Sequence, residues 1–351
     1  MTNAIFSFNA CTCFVVPKDV LERFANDPKV DESTRASAAE SARLSDAIRA
    51  VRHAHGLLSG LTHAADLPLQ VLAAKPAIRD YDCKNTTSLP GSSIAQPSHA
   101  ADPVAKEAWR ETKSVSQFFK TVFGRNSVDN AGMTLVSSVH YGKHYNNAFW
   151  NGAQMVYGDG DGKLFTCFTR SNDVIGHELM HGVTQYSLQL GYSADAGGLN
   201  ESLSDCFGSM FRQWEADQDV AQADWLIGAN IMGSLAKARG YTCLRDMANP
   251  ANKAAMAAQP THYKQLTHGM DPHYTSGPPN LAFATACKTL GGKSWERIGQ
   301  VWYSALTTSG VQPNMTMPTF AARTRQLAAQ MYSRQPAVPQ AVDTGWKKVG
   351  L

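Results

Sequence analysis

The sequence predicts an α+β fold in two lobes, a β-rich N-terminal lobe and a mainly α-helical C-terminal lobe, preceded by a short extra segment. Three observations lead there. From Asp80 to about Asp173, short β-prone runs such as MTLVSSVHYG and AQMVYGDG are separated by Gly-Asp turns. Beyond Asn172, apolar residues recur at helical spacing through most of the chain. Residues 1 to about 75 differ from both, and Pro68 and Pro76 mark the change. The expected units are therefore residues 1–75, 76–195 and 196–351.

In the first unit, Asp31 to Leu58 is rich in Ala, Arg, Ser and Glu and carries Leu44, Ile48 and Val51 at helical spacing, which predicts one or two amphipathic helices. The β-rich unit holds one helical stretch, Pro103 to Phe123. Later helices are expected over Val174–Gln189, Leu199–Ala216, Asp224–Lys237, Pro279–Leu290, Ser294–Leu306 and Met317–Tyr332.

Composition excludes several functions. Apolar residues make up 43% and charged residues 17% of 351, which suits a folded enzyme rather than a disordered chain. The net charge of +3 is scattered rather than gathered into basic runs, so no nucleic-acid partner is expected. No stretch approaches the roughly 18 apolar residues of a membrane span. The opening MTNAIFSFNACTCFVVP has no Lys or Arg before its apolar part and no small-x-small site, so no signal peptide is recognisable. Cytoplasmic residence, or export by a signal-independent route, follows. Seven scattered cysteines, an odd number, do not describe a disulfide framework.

The chemistry concentrates in VIGHELMHGVTQYSL. On a helix, His177 and His181 share one face about 6 Å apart, so both imidazoles can meet one metal ion. Glu178 beside them can lean toward the water that such an ion holds. A second segment, NESLSD, begins 19 residues after His181. A catalytic zinc needs three protein ligands and one open position, and Glu201 completes a His, His, Glu set. Asp205, one turn on, is placed to accept the free ring N–H of a histidine ligand. Leu199, Leu203 and Phe207 make this helix largely buried, and buried acids need partners.

With NNAFWNGAQMVYGDGDG at Asn146–Gly162, the chain resembles the thermolysin family of zinc metallopeptidases over about residues 78–351. The resemblance implies a two-lobed metallopeptidase with its zinc site on helices between the lobes, acting as an endopeptidase on proteins and peptides. It implies Glu178 as general base, and Tyr192 and His273 as donors to the developing oxyanion. It assigns Asn147 and the Ala148 carbonyl to an edge strand that holds the substrate backbone, and Arg245 to the carbonyl of the residue after the cut. Phe165, Val174, Ile231 and Leu244 match the pocket that takes a large apolar residue there.

The chain departs from the family pattern in two places. The family's paired calcium ions need several carboxylates, but only Asp173 and Asp224 remain beside Arg212, Leu226 and Ala229, so the double calcium site is not expected. Arg212 is expected to pair with both acids instead. Before His273 the usual run is shortened to Met270-Asp271-Pro272, which leaves Asp271 to orient that histidine. The N-terminal segment, with Cys13, Val15, Val16 and Pro17, resembles the short propeptide of protealysin-like members. It is expected to cover the cleft in cis until cleavage between about Leu57 and Ala77, with Cys13 either a small apolar residue packed in the propeptide or a thiolate ligand that inhibits. A pseudoenzyme would not keep ligands, base and donors together. An aminopeptidase needs an acidic anchor for the substrate amine, and none adjoins Asn147.

Overall fold

The computed structural model describes residues 13–59 and 75–351, and of 51–59 the backbone alone. The chain opens with strand β1 (Cys13–Phe14) and helices α1 (Lys18–Ala25) and α2 (Glu32–Ser59). The next part runs through β2 (Ile78–Asp82), β3 (Ser92–Ser93), α3 (Pro103–Phe123), β4 (Leu135–Val139), β5 (Ala148–Trp150) and β6 (Met155–Tyr157). Two long helices follow, α4 (Asn172–Gln185) and α5 (Ala194–Glu215). Then come β7 (Leu226–Ile227), α6 (Ser234–Ala238), β8 (Arg245–Asp246) and α7 (Pro272–Thr275). The chain ends with α8 (Gly277–Leu290), α9 (Ile298–Thr308), α10 (Met317–Met331) and α11 (Ala337–Lys348).

One six-stranded sheet has the order β1-β5-β6-β4-β2-β3. The β2/β4 and β4/β6 pairs are parallel and the others antiparallel. Strand β5 would be the edge of this sheet without β1, which pairs with it through Cys13↔Trp150 and Phe14↔Phe149. Helix α3 starts where the sequence says it should: Asp102 caps the Val104 and Ala105 amides, Pro103 takes the first turn, and Gly124 closes it at φ 68°. Its Phe118 and Phe119 pack on Phe211 and Phe207 of α5, which joins the sheet lobe to the helices. In the helical lobe, Trp302 stacks on Trp346 with ring centroids 5.9 Å apart. No described helix is long and apolar enough to cross a membrane.

The expected helix over Asp224–Lys237 is a correction. That stretch holds β7, a short 3-10 turn at Ala229–Ile231, and only α6 as helix. Gly228 stands at φ 70°, which breaks a helix, and a Cβ on Gly233 would lie 2.3 Å from the Lys163 carbonyl. Helix α11 was not among the expected helices. Pro339 lies in the first turn, where no N–H is needed, and Gly345 lets the helix pack within 2.3 Å, from its missing Cβ, of the Ala282 carbonyl.

Candidate metal centre and substrate cleft

Helices α4 and α5 cross unusually closely because Gly176 and Gly208 meet. A Cβ on Gly208 would lie 2.5 Å from the Asp173 carbonyl, and one on Gly176 would lie 3.0 Å from the Gly208 Cα. This crossing brings His177, His181 and Glu201, all buried, to one point. The His177 and His181 Nε2 atoms are 3.0 Å apart, and their nearest Glu201 oxygens lie at 3.5 and 3.7 Å. A tetrahedral ion with ligands at 2.0–2.1 Å requires donors about 3.3–3.4 Å apart, so the set fits zinc.

Hydrogen bonds behind the rings fix which nitrogen faces the centre. His177 Nδ1 lies 2.9 Å from Asp205 Oδ1, and a carboxylate only accepts, so Nδ1 carries the hydrogen and Nε2 is left with its lone pair. His181 Nδ1 lies 3.0 Å from both Asn200 Oδ1 and Ser204 Oγ, which does the same for the second ring. Burial holds the His181 pKa down to about 3, the neutral form a ligand needs. Burial opposes charge on Glu201, yet His273, His181 and His177 outweigh it and keep this carboxyl below its ordinary value.

Glu178 lies beside them. It is fully buried and, among the described residues, no side chain bonds either carboxylate oxygen; the Trp150 backbone N–H favours its charged form. Burial, and then the charge of Glu201, raise its pKa well above the ordinary carboxylate value. A cation held by the neighbouring donors would reverse the second cause.

The residues of the expected cradle also meet here. The Tyr192 hydroxyl donates to Glu201 at 2.7 Å and lies 3.4 Å from His273 Nε2. Asp271 caps α7 by accepting the His273 amide, and its side chain lies 2.6 Å from His273 Nδ1. Buried Arg245 forks onto Asp205 with two bonds of 2.8 Å. Although burial opposes the charge, Arg245 and His177 hold Asp205 well below the usual carboxylate range. Asn280 adds a bond of 2.9 Å to the same carboxylate. Phe165, Val174, Ile231 and Leu244 are all fully buried in one apolar cluster.

Segment 13–16 lies in this cleft. The Val15 amide donates to the Ala148 carbonyl at 3.1 Å. Val16 exchanges two bonds with the Asn147 side chain, 2.9 Å from its N–H and 3.1 Å to its carbonyl. Arg245 Nη1 donates to the Val15 carbonyl at 2.7 Å, and His273 Nε2 contacts the Phe14 carbonyl. Cys13 Sγ, a His181 ring nitrogen and a Glu201 oxygen lie within 4.8 Å of one another. Cys13 is disulfide-bonded, so its sulfur is not the expected thiolate here; Cys83, Cys167, Cys206, Cys243 and Cys287 are free. The expected cleavage region between Leu57 and Ala77 falls largely outside the described residues.

Arg212 bonds Asp224 at 2.6 Å and the Leu226 carbonyl at 3.0 Å, and lies 3.5 Å from Asp173. Asn200, Ser204 and Asn280 were given no role from sequence. For Asn200 and Ser204 the usable signal was their place on a helix that Leu199, Leu203 and Phe207 mark as buried; Asn280, on α8, carried none.

Known proteins resemble this chain along most of its length. A sequence model of the thermolysin metallopeptidase catalytic domain matches residues 70–185, and one of the alpha-helical domain matches residues 188–351. The chain is 39% identical over 302 residues to an extracellular metalloprotease of Pectobacterium carotovorum subsp. carotovorum, covering 82% of this chain and 85% of that one. It is 37% identical over 281 residues to protease PrtS of Photorhabdus sp. (strain Az29), covering 77% and 75%. The solved precursor of protealysin, a metalloproteinase from Serratia proteamaculans, superposes with a TM-score of 0.81 at 34% identity, covering 96% of this chain and 99% of that one. The chain belongs to the thermolysin metallopeptidase family, in its protealysin-like branch, and is a zinc-dependent metalloendopeptidase.

Proposed function

We propose that this chain is a self-inhibited precursor of an endopeptidase in which His177, His181 and Glu201 hold zinc and Glu178 is the general base. The observation that carries the reading is Glu178: a buried carboxylate that no side chain bonds, beside three converging donors. When bound, zinc supplies Lewis acidity, making water a nucleophile near neutral pH and polarising the scissile carbonyl. Glu178 takes a proton from the attacking water and returns it to the leaving amine. Tyr192 and His273 donate to the oxygen on which charge develops, and Asp271 holds the His273 ring toward it. Asn147 and the Ala148 carbonyl hold the substrate as an added strand, and Arg245 holds the carbonyl beyond the cut.

The pocket of Phe165, Val174, Ile231 and Leu244 favours a large apolar residue after the scissile bond, worth roughly 1.5–3 kcal/mol when filled. Residues 1–75 form the propeptide, residues 76–195 the first catalytic lobe and 196–351 the second. The bonds of segment 13–16 to Asn147, Ala148 and Arg245 support inhibition in cis, since they take the places of a substrate. Once its disulfide is reduced, Cys13 is near enough to His181 and Glu201 to act as the inhibitory thiolate. Arg212 stands in for the family's double calcium site. The name of the Pectobacterium relative supports action outside the cell.

Casein hydrolysis tests the reading. The matured protein should cut casein, 1,10-phenanthroline should stop it and added zinc restore it. Glu178→Gln should lower turnover by about 10²–10⁴-fold while zinc content stays unchanged. Full activity in Glu178→Gln would remove the assignment.

A further inference from the structure

We infer that the Phe14–Val15 peptide bond is itself addressed by the catalytic groups and is a self-cleavage site; this rests on the peptidase reading above and names a bond it acts on. Two role assignments made without reference to the N-terminal segment converge on this bond. Arg245 was assigned to the carbonyl of the residue after the cut, and the carbonyl it holds, at 2.7 Å, is that of Val15. His273 was assigned to the carbonyl being hydrolysed, and the carbonyl it contacts is that of Phe14. Both place the cut between residues 14 and 15.

The flanking contacts keep the same register. The Val15 N–H donates to Ala148, and Val16 takes both hydrogen bonds of the Asn147 side chain. The strand is antiparallel to β5, with Phe14 opposite Phe149. Val15 is fully buried and belongs to the main hydrophobic core, as do Phe165, Val174, Ile231 and Leu244. Phe14 is buried on the other side of the bond with Tyr141, Tyr145 and Phe149, and its ring centroid lies 5.2 Å from that of Phe149. The aromatic residue before the bond and the branched aliphatic after it are thus both buried among apolar side chains. His273 Nε2, in contact with the Phe14 oxygen, is itself 3.7 Å from Glu201, so the carbonyl is held beside the donor set.

The step is a hydrolysis. The oxygen of water bonds to the Phe14 carbonyl carbon, the C–N bond to Val15 breaks, and both water hydrogens end on the Val15 nitrogen, leaving a carboxylate and an ammonium. After the cut, Val20, Leu21 and Phe24 of α1 remain buried, so the new Val15 end stays clamped. A cut at this bond is therefore silent until the protein is denatured.

The full-length chain is incubated with zinc, then denatured and reduced, and read by intact mass and N-terminal sequencing. The expected result is a fragment of residues 1–14 and a chain beginning at Val15, both absent in Glu178→Gln and at least tenfold less in Val15→Asp, whose carboxylate does not suit the apolar pocket. A second readout needs no turnover: in the metal-free full chain, the Val15 and Val16 amides should exchange hydrogen slowly, and Asn147→Ala should speed exchange at Val16. The inference is overturned if the zinc-loaded protein digests casein yet never yields a Val15 terminus, or if both amides exchange at free-peptide rates. If the matured protein, with the N-terminal segment removed, also leaves casein uncut, the peptidase reading has failed, and the amide rates still judge the register separately.

Discussion

Asp205 shows how one carboxylate sets the state of its neighbours. It accepts from His177, twice from Arg245 and once from Asn280, and thereby fixes a ring tautomer and a guanidinium at once. Asp80 is its opposite, buried with both oxygens unpartnered, so burial alone raises its pKa to about 7. For a carboxyl raised in the folded state, the stabilising effect is complete below the unfolded value of 3.8 and is lost as pH rises through about 7. Asp80→Asn should therefore stabilise the protein by about 1–3 kcal/mol at pH ~8 and change little at pH ~4, measured as the difference in Tm between the two proteins. Equal shifts at both values would contradict this. At this scale, sequence spacing made His177, Glu178, His181, Glu201 and Asp205 legible, because a helix turns a fixed interval into a shared face. Asp80 and Asn280 were illegible because their partners, or lack of them, come from distant elements.

Among the elements, the crossing of α4 and α5 decides the site. Gly176 and Gly208 remove the side chains that would hold the two helices apart, so the two segments of the motif meet. Arg212, near the end of α5, ties that helix to Asp173 at the start of α4 and to Asp224 beyond. Arg212→Ala should destabilise the protein by about 1–3 kcal/mol, because Asp173 is buried and loses its cation. Thermal unfolding of the zinc-loaded protein should be insensitive to millimolar calcium before and after the change, and a calcium-dependent gain would contradict Arg212 as the substitute. Helix α3 was readable to its last residue, since Asp102, Pro103 and Gly124 carry their own start and stop chemistry. The stretch after Asp224 was misread because apolar periodicity there belongs to a chain pinned by Gly228, Gly233 and Arg212, none of which alters the hydrophobic pattern.

Taken as a whole, the molecule is two lobes with a segment of its own chain across the seam. Its first strand extends the sheet of one lobe, while Arg23 reaches the Met256 carbonyl and Asp27 pairs with Arg239 on the other. The change of pattern near residue 75 made this segment visible as separate, and the resemblance implied that it covers the cleft, but its register there depends on main-chain hydrogen bonds, which leave no mark on side-chain pattern. The whole account depends on three side chains from two helices converging on one zinc ion. Metal analysis by mass spectrometry of the purified, buffer-exchanged protein tests this most directly. The account predicts one zinc per chain, lost in His177→Ala and in Glu201→Ala while the circular dichroism of the fold persists. A well-folded protein without zinc, or one that keeps its zinc unchanged in Glu201→Ala, would contradict it.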